Sequence, residues 1–123
     1  MKVLADTSIW VDHFRRADAR LADLLDRGDI VTHPFVIGEL LLGGMPRTSD
    51  MLDDLNTLPK ATIANNDEVL DFIVKRKLAG LGIGYVDAHL LASTMLTTEA
   101  SIWTHDKRLL AAARSLKLVA DFQ

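Results

Sequence analysis

Apolar residues run along this chain in short blocks, and the spacing within each block predicts an element. Val3-Leu4-Ala5, preceded by Lys2 and halted by the polar Asp6-Thr7-Ser8, reads as a first strand over 2–5. A helix over about 8–16 follows. A second, over 18–27, carries Leu21, Leu24 and Leu25 as one stripe and stops at Gly28. Ile30 and Val31 mark a strand over 29–32. Pro34 suits the first turn of a helix over 34–42, where a missing N–H has no helical partner in any case. That helix is apolar except for Glu39 and ends at the Gly43-Gly44 pair. A short helix over 49–58 and a strand near 61–64 come next. A long amphipathic helix over 66–79 then places Leu70, Ile73, Val74 and Leu78 on one face, with Lys75, Arg76 and Lys77 toward solvent. Gly80, Gly82 and Gly84 mark a loop. A mostly apolar helix over 86–96, a strand over 101–103, a helix over 106–115 and an edge strand at Leu118-Val119 complete the pattern.

Strands alternating with helices predict parallel pairing through right-handed crossovers, with helices on both faces of the sheet. The expected fold class is α/β, a three-layer α/β/α domain around a mainly parallel sheet. The prolines and glycines are scattered, no stretch reads as a linker, and no repeat is present, so residues 1–123 are expected to form one domain. In such sheets the functional crevice lies at the carboxyl ends of the strands.

Composition narrows the class. Hydrophobic residues make up 49% and charged residues 25%, which excludes a disordered chain. With no cysteine, disulfides, thiolate catalysis and zinc–thiolate sites are excluded. No apolar run is long enough to span a bilayer, and Asp6 interrupts the N-terminal run too early for a signal peptide. A soluble, cytoplasmic protein is expected. The net charge of −3 argues, at face value, against a nucleic-acid partner.

Four carboxylates change that picture. Asp6 and Asp106 follow strands and so belong to the carboxyl edge; Glu39 and Asp87 sit in apolar helices. Each aspartate also has a plain reading as a helix cap. Taken together, a cysteine-free carboxylate cluster suits a hard divalent cation, Mg²⁺ or Mn²⁺, which relieves the mutual repulsion. Such a site suits phosphodiester hydrolysis.

Asp6-Thr7-Ser8, Glu39, the run Gly84-Tyr85-Val86-Asp87-Ala88-His89-Leu90-Leu91-Ala92 and Trp103-Thr104-His105-Asp106 resemble the PIN-domain ribonucleases. The size and motif order resemble the VapC-type toxins of bacterial toxin–antitoxin pairs. The resemblance implies a Mg²⁺- or Mn²⁺-dependent endoribonuclease. Asp6, Glu39, Asp87 and Asp106 would be its catalytic, metal-holding quartet, with Ser8 and Thr104 as supporting hydroxyls. It also implies an RNA substrate, a homodimer and a cognate antitoxin that blocks the site. Many relatives carry an aromatic three residues after the last aspartate; Leu109 stands there here, a difference of packing.

Arg15, His105, Lys107 and Arg108 are candidate substrate contacts, each with a solvated surface position as its plain alternative. Trp10 and Phe14, one turn apart, fit a core or interface better than base stacking, and His89 fits a packing role. The helices around Trp10–Phe14 and Met51–Leu58 are candidate antitoxin surfaces. Three rival readings remain. A phosphoryl-accepting receiver domain lacks its clustered acids and late lysine here, and an Asp-x-Asp phosphatase lacks its second aspartate. A non-catalytic partner- or RNA-binding domain leaves the quartet unexplained. With four acids assigned to a cation, the remaining charge nearly balances. RNA binding then rests on the metal, a few arginines and dimerisation rather than on a basic surface.

Overall fold

The computed structural model describes residues 1–43 and 49–123, with the side chains of 49–51 left aside. Gly44, which the sequence pattern assigns to a helix stop, and the side chain of Met51 lie outside the described residues. Three strands, β1 (Lys2–Ala5), β2 (Ile30–Val31) and β3 (Ala100–Trp103), form a parallel sheet in the order β2-β1-β3. The helices are α1 (Thr7–Arg15), α2 (Ala19–Asp26), α3 (Pro34–Leu42), α4 (Ser49–Thr57), α5 (Asn66–Lys75), α6 (Tyr85–Leu96) and α7 (Lys107–Ser115). The α/β/α reading therefore holds. No helix among the described residues is long and apolar enough to cross a membrane.

β1 is central because it is apolar on both faces: Val3, Leu4 and Ala5 are all fully buried. Parallel strands covered on both sides read as continuous apolar runs. The chain leaves β1 for β2 on one side, then returns through α3–α6 to pair β3 on the other. That reversal is a switch point, where open α/β sheets leave a crevice at the strand ends. The β1–β3 register sets Ala5 beside Trp103, so Asp6 and Thr104 leave the sheet together.

Three expectations are corrected. No strand forms at 61–64; the chain makes one bridge, Thr32 to Lys60. Beyond it hydroxyls from α6 and its C-cap take the donors a ladder would need: Thr62 N donates to Thr97 Oγ1 at 2.9 Å and Ala64 N to Ser93 Oγ at 3.2 Å. The helix predicted over 66–79 stops at Lys75, where Lys77 turns left-handed at φ 55° and Leu78 N reaches back to Ile73 O. Its expected apolar face divides: Leu78 is buried, whereas Leu70 and Val74 are exposed. Leu118-Val119 contributes a single bridge to Ile102 rather than a strand, held by Ile102 N on Leu118 O at 2.7 Å.

Candidate functional site

The carboxyl edge of the sheet gathers the acidic groups because three helices begin there. Asp6 caps α1, accepting from Thr7 N at 2.7 Å. Asp106 caps α7, accepting from Arg108 N at 2.9 Å and Leu109 N at 3.0 Å. Asp87, in the first turn of α6, accepts from Gly84 N at 3.3 Å. The capping reading is therefore correct for Asp6 and Asp106, and it also fixes where these carboxylates sit. Helix N-termini carry partial positive charge, which steadies anionic groups beside them.

Thr104 and Ser8 organise Asp6. Thr104 is fully buried; its Oγ1 donates to Asp6 Oδ2 at 2.7 Å and accepts from Asp106 N at 3.0 Å. Ser8 Oγ donates to the same Asp6 oxygen at 3.1 Å and accepts from His105 N at 3.0 Å. One buried hydroxyl thus ties the end of β1 to the start of α7. Glu39 joins from α3, where its Oε1 accepts from Thr7 Oγ1 at 2.9 Å.

The four carboxylates differ in exposure. Asp6 is buried, Asp87 half-buried, and Glu39 and Asp106 are exposed, so the apolar helix around Glu39 presents it outward rather than burying it. Burial raises the Asp87 pKa above the ordinary carboxylate range; the Gly84 hydrogen bond opposes this, while the charges of Asp6, Asp106 and Glu39 add to it. All four members of the expected quartet therefore share one electrostatic neighbourhood. They stop short of a ready-made ligand array: among the described residues, no three acidic or histidine side chains are arranged to hold a metal ion. Like charges keep such groups apart, and an oxygen-only donor set with no thiolate suits a hard divalent cation.

The expected substrate contacts fall in different places. His105 is exposed beside the site, its Nδ1 paired with Asp12 Oδ2 at 2.5 Å. Lys107 and Arg108 are exposed on the first turn of α7. Arg108 lies along the glycine loop, where a Cβ on Gly82 would come within 2.8 Å of its Cδ; φ +76° at that residue favours glycine as well. Arg15 is exposed in the last turn of α1, at the far end of the helix from Asp6. Trp10 is buried in the core with Leu55, and Phe14, Leu52 and Leu58 pack partly buried against it. The two stretches considered for an antitoxin surface thus turn most of their apolar side chains inward.

Sequence reasoning missed Gln123, which clamps the site from behind. Its Oε1 accepts from Thr104 N at 3.1 Å and its Nε2 donates to Thr104 O at 2.5 Å. Beside it, Phe122 packs edge-on against Trp103 and under the Arg20 guanidinium. No local motif signals this contact. Thr7, which reaches Glu39, was legible only as part of the polar triplet after β1.

His33 is also missed chemistry, of a structural kind. Its Nδ1 accepts from Phe35 N at 3.0 Å as the cap of α3, which places the ring proton on Nε2, facing Ser93 Oγ at 3.2 Å. Burial, and secondarily the His89 charge, lower its pKa to about 4. The His89 pKa is likewise lowered by burial.

A short parallel sheet with acidic side chains at its carboxyl edge is the plan of the PIN domain, and the chain belongs to that family, whose pattern matches residues 3–115. Among named relatives it is similar to Ribonuclease VapC32 of Mycobacterium tuberculosis, from strains CDC 1551 / Oshkosh and ATCC 25618 / H37Rv. Identity to each is 46% over 110 residues, covering 89% of both chains. Among solved structures it resembles PAE2754 from Pyrobaculum aerophilum, with a TM-score of 0.62 and 19% identity over 94% of this chain and 81% of the other, a likeness of fold. Family membership sets aside the receiver and Asp-x-Asp phosphatase readings.

Proposed function

We propose that this chain is a Mg²⁺- or Mn²⁺-dependent endoribonuclease and the toxin of a toxin–antitoxin pair. The observation that carries the reading is the hydrogen-bonded linkage of the acids, Asp6 to Asp106 through Thr104 and Asp6 to Glu39 through Thr7, with the Asp87 carboxyl raised in pKa in part by the charges of the other three. Similarity to Ribonuclease VapC32 over most of the chain supports the substrate class. Asp6, Asp87 and Asp106, with Glu39, would hold the cation. A bound divalent ion at such a site polarises the phosphoryl group and lowers the pKa of a water.

The protein's own groups do the rest. Thr104 and Ser8 hold Asp6 in one rotamer, and Thr7 does the same for Glu39. Lys107 and Arg108, exposed on the first turn of α7, would meet the phosphate backbone. A homodimer and an antitoxin that covers the acidic edge are part of the same proposal, as is a cytoplasmic site of action.

RNA cleavage with Mg²⁺ or Mn²⁺, compared with Asp6→Asn and Asp87→Asn, tests it. Each variant is expected to lose at least about 100-fold in kcat. Cleavage in the presence of a chelator, or full activity in both folded variants, would refute the mechanism. Expression is expected to arrest growth unless the antitoxin is co-expressed, and unaffected growth with active enzyme would refute the toxin role.

A further inference from the structure

The chain has two tryptophans, one tyrosine and four phenylalanines, and of these only Phe35 and Tyr85 are exposed, at 38% and 46%. They are not scattered. Both pack on the imidazole of His89, each with its ring centre 4.6 Å away, Phe35 tilted and Tyr85 edge-on. His89 is 2% exposed, and neither of its ring nitrogens has a hydrogen-bond partner. Burying two unpaired polar atoms is costly. What the imidazole supplies here is a flat prop beneath two aromatic rings.

The location ties this patch to the acidic edge. Phe35 lies one helical turn before Glu39 on α3, so ring and carboxylate share a face. Tyr85 is the first residue of α6, two before Asp87. Tyr85 also walls an open hollow of about 200 Å³ with Ile73, Leu78, Ile83 and Ala88. That is below the roughly 300–1,000 Å³ of clefts that take drug-sized ligands, and it suits one planar ring.

We propose that Phe35 and Tyr85 form a stacking site for an unpaired nucleobase of the RNA strand whose phosphodiester lies at the carboxylates. The proposal rests on the ribonuclease reading and adds to it a source of affinity. The chain carries a net charge of −3, so electrostatic attraction to phosphate gives it little affinity. Stacking on an aromatic face needs no positive charge and accepts any base. Single-stranded RNA offers such bases, whereas a duplex hides them. A base is favoured over a protein partner because Phe35 shares a helix face with Glu39, Tyr85 begins the helical turn that carries Asp87, and the hollow walled by Tyr85 has the size of one ring.

The test compares two labelled oligomers by fluorescence anisotropy with Ca²⁺ present: a single-stranded oligoribonucleotide, and an abasic ribose-phosphate chain of equal length and charge. The wild type is expected to bind the base-bearing oligomer at least about 10-fold more tightly. Phe35→Leu and Tyr85→Leu, shown folded by circular dichroism, are expected to erase most of that preference. In Mn²⁺-supported cleavage they raise KM by a similar factor and leave kcat within about 2-fold. Tyr85→Phe recovers the affinity lost in Tyr85→Leu. Equal binding of both oligomers by the wild type overturns the proposal, as does an undiminished preference in the leucine variants. So does loss of antitoxin binding in those variants with RNA binding intact, which assigns the patch to protein docking. Base-selective binding by a wild type that cuts no RNA leaves the stacking site standing and refutes the ribonuclease reading alone.

Discussion

Replacing Thr104 with valine isolates the hydroxyl that joins the two halves of the site. Valine keeps the shape, so no cavity opens at this fully buried position. What is lost is the Oγ1 donation to the Asp6 carboxylate at 2.7 Å and the acceptor for Asp106 N at 3.0 Å. A hydrogen bond to a charged group contributes about 1.5–3 kcal/mol, and an orphaned amide costs about 1 kcal/mol or more. Ser8 still donates to the same Asp6 oxygen, which limits the damage. The expected destabilisation is about 3 kcal/mol, or roughly 10 °C in Tm for a domain of this size. Urea unfolding measures it as a lower midpoint at constant slope. In Mn²⁺ titrations of cleavage, the half-saturating metal concentration is expected to rise about 10-fold or more, as when groups supporting metal ligands are removed. Thr104→Ser, which keeps the hydroxyl, is expected to retain most of the metal affinity. A Thr104→Val protein within about 0.5 kcal/mol of wild type, with an unchanged Mn²⁺ dependence, would refute the claim that this hydroxyl holds the site together.

Asp87→Asn is expected to raise the Tm of metal-free protein by a few degrees while abolishing cleavage. The ionised carboxyl is disfavoured by burial and by three like charges, so removing its charge stabilises the metal-free fold; a melt in EDTA that shows a lower Tm counts against this. His33 is disfavoured as a cation, so its contribution is complete above its ordinary pKa near 6.5 and is lost as pH falls from there toward about 4. The difference amounts to about 3 kcal/mol, measured by urea unfolding across that range; His33→Leu should flatten the profile, and an unchanged profile refutes the assignment. Gln123→Leu removes both bonds to the Thr104 backbone and is expected to cost about 1–2 kcal/mol. It should also weaken Mn²⁺ dependence several-fold, and cleavage titrations identical to wild type would show that the clamp does not reach the site.

Local pattern carried most of the fold, and the reasons for its failures are physical. β1, β3 and the seven helices follow from apolar runs, caps and glycine stops that act over a few residues. The segment after Lys60 reads as a strand because its composition is apolar, yet Ser93 and Thr97, some thirty residues on, capture its amides. Leu70 and Val74 fit the helical period but face outward, since period alone gives a stripe and not what covers it. In the site, the four acids were legible because carboxylates on apolar elements stand out. Their unequal burial was not, and neither was Gln123, whose importance depends wholly on a residue 19 positions away. Phe35 was read as one apolar residue of its helix and Tyr85 as part of the motif run ahead of the next one, because exposure is a property of the folded surface.

The sheet order has a consequence for synthesis. The central strand is made well before its functional neighbour: Asp6 and Thr104 are 98 residues apart. Contacts of such separation form only once the intervening chain is available. A ribosome adding about 5–20 residues per second therefore carries for seconds a nascent chain whose Asp6 has only its local partners, Thr7 and Ser8, before Thr104 is made. The edge that Thr104 ties together is therefore assembled only after β3 has been made, so a chain still short of that strand carries the two halves of its site unjoined.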